Sequence, residues 1–187
     1  MYIDIILKIV GIQMKRLNEI TFLRGEPDRW NDMTIKHAVA NYKFRELGDA
    51  IGIDPGINWG LTMLVDGIMF TYWGTLPKMN APDRHNYICR FITAWFPPKC
   101  PANIVMIEGA AYGAKYSREA LEDSRLGFYD AFKELGKTVS YAPPLTIRKE
   151  VFGKGTIKGN QVFLDINENS ADSVAICLYA SGYKFKE

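Results

Sequence analysis

The sequence predicts an α/β fold in which a mixed five-stranded sheet carries helices on both faces. Three apolar runs in succession are separated by turn signals, which is typical of an antiparallel β-meander. Two more apolar runs then alternate with segments whose apolar residues recur at helical spacing. The predicted order is β-β-β-α-β-α-β-α-α, in a domain over residues 50–187. Residues 1–49 form an N-terminal extension of unknown role, in which 39–47 could be a short helix.

The first three strands follow one another closely along the chain. Ala50–Asp54 is a short apolar strand, and the Pro-Gly dipeptide after it stops the strand and permits a sharp turn. The apolar runs 60–65 and 68–73 are joined by Asp66-Gly67, a strong signal for a two-residue hairpin turn. These three segments therefore predict the antiparallel part of the sheet.

The later elements alternate between helix and strand. Apolar residues at helical spacing predict a helix over 82–96, which stops at a Pro-Pro pair. Residues 103–108 form a predicted strand that is apolar from Ile104 to Ile107, as expected of a strand covered on both faces. The remaining predictions are a helix at 116–135, a strand at Thr138–Ala142, a short helix at 143–152, a helical turn or two at 160–166 and a last helix at 169–183.

Composition narrows the class of protein. The chain has 187 residues, of which 48% are hydrophobic and 24% charged, as in ordinary soluble domains. The net charge is +2, so nucleic-acid affinity would have to come from local patches. Three cysteines without a CxxC motif, and only two histidines, indicate free thiols in a reducing compartment and argue against zinc.

The apolar N-terminus is interrupted by Asp4 and Lys8, and it is shorter than the roughly 20 residues that span a bilayer. We therefore expect a cytoplasmic protein without a membrane partner.

Three acidic residues each lie at a structural boundary. Asp54 and Glu108 end apolar strands, where a carboxylate has no packing reason to be, and Asp172 lies in the last helix. Carboxylates brought together at the ends of elements bind Mg²⁺, and paired Mg²⁺ ions cleave phosphodiesters. On helical spacing Glu168 and Asn169 share a face with Asp172, so they could add oxygen ligands. The pattern indicates a metal-dependent nuclease.

Each of these residues also has an ordinary structural interpretation. Asp before Pro-Gly is common in turns, and a strand-end glutamate can be a solvated charge. Asn167 or Asn169 could cap the last helix.

A basic stretch between residues 137 and 161 is a candidate track for a DNA backbone. It holds five cations against Glu150 alone, and its glycines would let the backbone approach phosphates. The expected DNA contacts are Arg148, Lys149, Lys154 and Lys158, together with Lys115 and with Tyr112, whose ring could stack on bases. The competing interpretations are a solvated helix face and a core aromatic residue.

Taken together, these motifs resemble the RuvC family of Holliday junction resolvases over roughly residues 50–181. The matching segments are IGIDPG at 51–56, the strand ending in Ile-Glu-Gly at 107–109, the Lys/Gly-rich loop ending in Gln-Val at 161–162, and ADSVAI at 171–176. The resemblance implies an RNase H-like fold, a homodimer and paired Mg²⁺-dependent nicks in a four-way DNA junction, with Mn²⁺ able to substitute. It also implies that Asp54, Glu108 and Asp172 are metal ligands, and that Lys158 acts at the catalytic site beside Arg148 as a phosphate contact.

Asn169 departs from the family pattern, in which the position three before the last aspartate is usually Asp. A neutral amide binds a metal more weakly than a carboxylate. Three explanations fit: a tolerated natural Asn, substitution by Glu168 or Asp165, or an inactivating Asp→Asn change. We still count Asn169 among the catalytic positions.

Other functions remain compatible with the motifs. One is a different RNase H-fold nuclease that acts on flaps, branched DNA or RNA–DNA hybrids. A second is a junction-binding protein with weakened catalysis. A third is a sugar-kinase or actin-like ATPase, although 187 residues leave little room for the second lobe that such enzymes need. A bacterial nucleoid or the cytoplasm of a virus-infected host is the expected location.

Overall fold

The computed structural model of the chain describes residues 21–23, 47–97, 99–110, 118–163 and 166–185, with the backbone alone for 21–23 and 118–120. The predictions made for Tyr112, Lys115 and Asp165, and nearly all of the helix predicted at 39–47, lie outside these ranges. No helix in the described ranges is long and apolar enough to cross a membrane.

The elements run in chain order as β1 (Thr21–Leu23), β2 (Ala50–Asp54), β3 (Asn58–Val65), β4 (Ile68–Thr75), α1 (Ala81–Trp95), β5 (Ile104–Glu108), α2 (Arg118–Glu134), β6 (Thr138–Ala142), α3 (Pro144–Phe152), a 3₁₀ turn (Gly159–Gln161) and α4 (Glu168–Ala180). The strands form one sheet in the order β1-β4-β3-β2-β5-β6.

The mixed α/β architecture and all five predicted strands are confirmed. Strands β2, β3 and β4 are antiparallel, and β5 and β6 extend the sheet from β2 in parallel. Asp66 and Gly67 adopt φ values of 50° and 73°, the left-handed conformation that a two-residue hairpin turn requires.

Two details differ from the prediction. A sixth strand, β1, pairs antiparallel with β4. It is only three residues long, so it leaves no recognisable alternation in the sequence. In the described part of the segment predicted at 160–166, the helical structure is one 3₁₀ turn at Gly159–Gln161.

Helices cover both faces of the sheet, as predicted. Successive side chains of β2 point to opposite faces. Ile51 and Ile53 belong to the core under α1 and α2, whereas Ala50 belongs to the core under α3 and α4. Both cores are filled with fully buried side chains, including Phe128 on the first face and Phe152 on the second.

Helix α4 lies directly against the backbone of the sheet because glycines face it. A side chain at Gly52 would collide with the backbone of Cys177, and one at Gly60 would collide with the carbonyl of Asn169. Ser173 of α4 also shares a 2.7 Å hydrogen bond with Thr62 of β3, and both side chains are fully buried. These contacts fix the start of α4 beside the end of β2.

Candidate metal centre and nucleic-acid interface

Asp54 is the last residue of β2, and alternation along the strand turns its side chain toward α4. Its partner on β3 is Gly60, which has no side chain and lies against the start of α4. The carboxyl group is therefore partly buried in a narrow space between the sheet and the helix. Burial raises the pKa of Asp54 well above its usual range, and the nearby Glu108 and Asp172 raise it further.

Glu108 ends β5 and faces the same side of the sheet. Ile53 and Ile107 are the last paired residues of β2 and β5, and Asp54 and Glu108 each follow by one position. Neighbouring strands are about 4.8 Å apart, so these two acids leave the sheet side by side. The side chain of Glu108 is 19% exposed, and its Oε1 lies 3.8 Å from Nη2 of Arg148. Burial raises the pKa of Glu108 to about 7, while Arg148 acts in the opposite direction.

Asp172 completes the group from the second turn of α4. Its Oδ1 accepts a 2.9 Å hydrogen bond from the backbone N–H of Gly159 in the basic loop. A side chain at Gly159 would approach this oxygen to 2.7 Å and the Ala171 carbonyl to 2.5 Å, so only glycine fits here. The sequence suggested that the glycines of the basic stretch let the backbone approach phosphates. The structure instead places one of them, Gly159, against Asp172.

The start of α4 is organised by Asn167, which caps the helix. Its Oδ1 accepts hydrogen bonds from the backbone N–H and from Nδ2 of Asn169, at 3.0 and 3.1 Å. The capping interpretation thus holds for Asn167, and Oδ1 is the atom of Asn169 that could face a metal. Glu168 is exposed in the first turn.

The basic stretch divides into two parts. Arg148 is 21% exposed and faces Glu108, while Lys149, Lys154 and Lys158 are exposed on α3 and the loop after it. Lys137 precedes the first residue of β6, whereas α3 follows the last residue. Lys137 therefore lies at the opposite end of this strand from α3. There it donates a 2.7 Å hydrogen bond to the carbonyl of Cys100. The candidate track for DNA therefore begins at Arg148.

Arg125 of α2 contacts the same strand end, although no motif in the sequence singles it out. Its Nε and Nη2 donate hydrogen bonds to the carbonyls of Glu108 and Gly109, at 3.0 and 3.2 Å. The residue is only 8% exposed. It is one of several charged residues in an amphipathic helix, so spacing alone could not distinguish it from a surface arginine.

The chemistry of the acidic group suits a divalent cation. Glu108 and Asp172 raise the cost of ionising Asp54, and Asp172 raises that of Glu108, so a bound cation would relieve this cost. Nevertheless, within the described ranges no group of three His, Cys, Asp or Glu side chains is arranged to coordinate one metal ion. Glu108 faces Arg148, and one oxygen of Asp172 is bonded to Gly159. Binding would require these side chains to turn toward one another.

Comparison with known proteins gives structural matches alone. No family model and no curated protein sequence matches the chain. The structure of Thermus thermophilus RuvC matches 70% of this chain and 91% of its own, with a TM-score of 0.51 and 18% identity. T. thermophilus RuvC in complex with Holliday junction substrate matches the same shares of both chains at 18% identity, with a TM-score of 0.53. The mixed sheet with helices on both of its faces thus forms a RuvC-like fold.

Proposed function

We propose that the protein is a metal-dependent endonuclease that cuts branched DNA, with the four-way junction as its substrate. The observation that carries this proposal is that Asp54, Glu108 and Asp172 come from three separate elements of a RuvC-like fold and lie near enough for the other two to raise the pKa of Asp54. A structural relative solved with a Holliday junction supports the choice of substrate.

Asp54, Glu108 and Asp172 would hold Mg²⁺ or Mn²⁺, with Oδ1 of Asn169 or the carboxylate of Glu168 as a further ligand. Such ions lower the pKa of a bound water and stabilise the oxygen that leaves the phosphate. Asp54 stands between Glu108 on one side and α4 on the other, so it suits a shared ligand. Gly159 holds Asp172 at the edge of the site, and this backbone contact links the acid to the basic loop.

The basic stretch meets this acidic group at two points, Arg148 beside Glu108 and Gly159, which follows Lys158, against Asp172. Arg148 already faces Glu108, and Lys149, Lys154 and Lys158 continue from α3 into the loop that ends at Gly159. A phosphate chain laid along them would reach the acids. We assign binding of the DNA backbone to these four residues, and Lys158 also neutralises the phosphate as charge develops. Tyr112 and Lys115 are proposed as further DNA contacts.

A homodimer would match the two-fold symmetry of a four-way junction and place one acidic group at each of two opposed strands. Paired nicks would follow from this arrangement.

A nicking assay on a synthetic four-way junction with Mg²⁺ or Mn²⁺ tests the proposal. The unmodified chain should nick the junction in preference to a flap, an RNA–DNA hybrid or a linear duplex. Asp54→Asn should abolish cleavage while junction binding persists. Normal cleavage by this variant, or equal cleavage of all four substrates, would contradict the proposal.

The amide at Asn169 supports a second candidate function, that of a junction-binding protein with weakened catalysis. An amide contributes no charge to a metal site, so a divalent cation should bind less tightly beside Asn169 than beside a carboxylate. In that case the unmodified chain would bind the junction without nicking it, and Asn169→Asp would restore cleavage. If Asn169→Asp changes neither metal affinity nor cleavage, this position plays no part in the metal site.

A further inference from the structure

We propose that Arg125 is the positioning residue of the metal site: its guanidinium fixes the end of β5 so that Glu108 meets the ion that Asp54 also holds. This inference rests on the proposed metal-dependent function. Arg125 touches neither the ion nor the DNA in this proposal, and it acts through the backbone of Glu108 and Gly109.

The contacts of Arg125 use the planar, forked shape of its side chain. Nε and Nη2 bind two successive carbonyls, those of Glu108 and Gly109, at 3.0 and 3.2 Å. Nη1 lies 3.6 Å from the carboxylate of Glu122 on the same helix. Each nitrogen of the buried guanidinium therefore faces an oxygen. Two parallel bonds from one rigid plane fix direction as well as distance.

The strand end is held from the opposite side as well. The N–H of Gly109 donates a 2.8 Å hydrogen bond to the carbonyl of Ala142, the last residue of β6. The backbone of residues 108 and 109 is thus bound through both carbonyls and one amide. Glu108 has several rotatable side-chain bonds, so a fixed backbone narrows the positions that its carboxylate can reach.

Anchoring of α2 alone does not explain this arrangement. The helix already packs on the sheet through Phe128, Ala131 and Phe132, each no more than 1% exposed. A buried arginine at this position is costly unless every donor is paired, and an apolar residue would pack there without that cost. The arginine binds the carbonyl of Glu108 itself and that of the next residue, Gly109, so it holds the backbone that carries the metal-binding side chain.

Arg125 also differs from the second arginine at the site. Arg148 faces the carboxylate of Glu108 itself, from the opposite element α3, and must give way when that oxygen binds an ion. Arg125 binds only backbone oxygens of this strand end, so its contacts can persist whether or not a metal is bound.

The test measures Mn²⁺ binding without DNA, by calorimetry and by the electron paramagnetic resonance spectrum of the bound ion. The variants are Arg125→Lys, which keeps the charge but removes the fork, and Arg125→Gln, which removes both. Partners that orient a metal ligand typically change affinity by about 10- to 100-fold, and we expect a loss in this range for both variants. Glu122→Gln is the matched control, because it removes the charge of the group 3.6 Å from Nη1 and leaves the fork intact.

The outcomes separate this inference from the proposed function. Weakened Mn²⁺ binding and an altered spectrum in folded Arg125→Lys, with Glu122→Gln unchanged, would support positioning. Native Mn²⁺ affinity in Arg125→Lys would overturn it, as would failure of both Arg125 variants to fold, since the role would then be structural. Glu108→Gln distinguishes failure of the positioning role from failure of the proposed metal site. If that variant binds Mn²⁺ as the unmodified chain does, the proposed metal site itself is wrong.

Discussion

Glu108 carries a carboxyl group that the fold withdraws from water and places beside other acids. Burial dominates its raised pKa, Arg148 offsets part of the shift, and Asp172 adds to it. A carboxyl group in such surroundings costs folding free energy whenever it is ionised and no cation is bound. Such groups are often found where a protein has a chemical task.

The metal-free protein should lose stability as the pH rises from about 4.5 to about 7. In this window folded Glu108 keeps a proton that the unfolded chain releases, so the native state binds more protons and the free energy of unfolding falls. The contribution of Glu108 is at most about 3–4 kcal/mol, from about 1.4 kcal/mol per unit of pKa. Urea unfolding at about pH 5 and about pH 8, in the presence of a chelator, measures it.

Glu108→Gln is the control for this pH dependence. The amide cannot ionise, so the fall in stability should be smaller in the variant, and the part that remains belongs to Asp54. An identical fall in both proteins would show that Glu108 does not hold its proton in the folded state.

At the scale of elements, helix α4 lies unusually close to β2 and β3. Gly52 and Gly60 make this approach possible, and they bring Asn169 and Asp172 within reach of Asp54. The geometry of the acidic group thus depends on two residues that have no side chain.

Gly52→Ala should destabilise the protein by about 1–3 kcal/mol or more, because the added methyl group overpacks a well-filled contact. It would collide with the backbone of Cys177, which cannot rotate away. Gly48→Ala is a suitable control, since its methyl group would lie 3.8 Å from the nearest atom, the carbonyl oxygen of Ser181. Urea denaturation of both variants checks the difference. Equal stabilities would mean that α4 can shift outward without cost.

The sequence predicted the elements better than the contacts between them. Apolar runs and turn signals located β2 to β6, because these features depend on local pattern. The sequence also put Asp54 and Glu108 at strand ends, whereas their position side by side follows from the parallel pairing of β2 with β5 in the structure. Arg125 and the N–H of Gly159 were not predictable as partners of the site. Their roles follow from how α2 and the basic loop pack, and a single sequence holds no local signal for that.

At the scale of the whole molecule, charge is unevenly placed although the net charge is only +2. Asp54 and Glu108 lie at the carboxyl ends of β2 and β5. The exposed cations lie on α3 and in the loop after it, which follow the carboxyl end of β6. Lys133 and Lys137 lie near the opposite end, where α2 stops and β6 begins. DNA affinity should therefore depend on position rather than on total charge.

Lys158→Ala should weaken junction binding and reduce its dependence on salt. For duplex DNA, removing one cation that neutralises a phosphate lowers the slope of log K against log salt by about 0.9. Lys133→Ala removes the same charge at the distant end and should leave the slope unchanged. Fluorescence anisotropy of a labelled junction over a range of salt concentrations, without divalent metal, gives both slopes. A similar change in the two variants would point to general attraction instead of a defined track.

Strand β1 has a practical implication for anyone shortening this polypeptide. It occupies the outer side of β4 from Met69 to Thr71, where backbone amides and carbonyls would otherwise face solvent. Bare strand borders of that kind recruit other chains. Trimming the first 46 residues to obtain a smaller fragment would remove this cover, and such a fragment should be prone to self-association through β4.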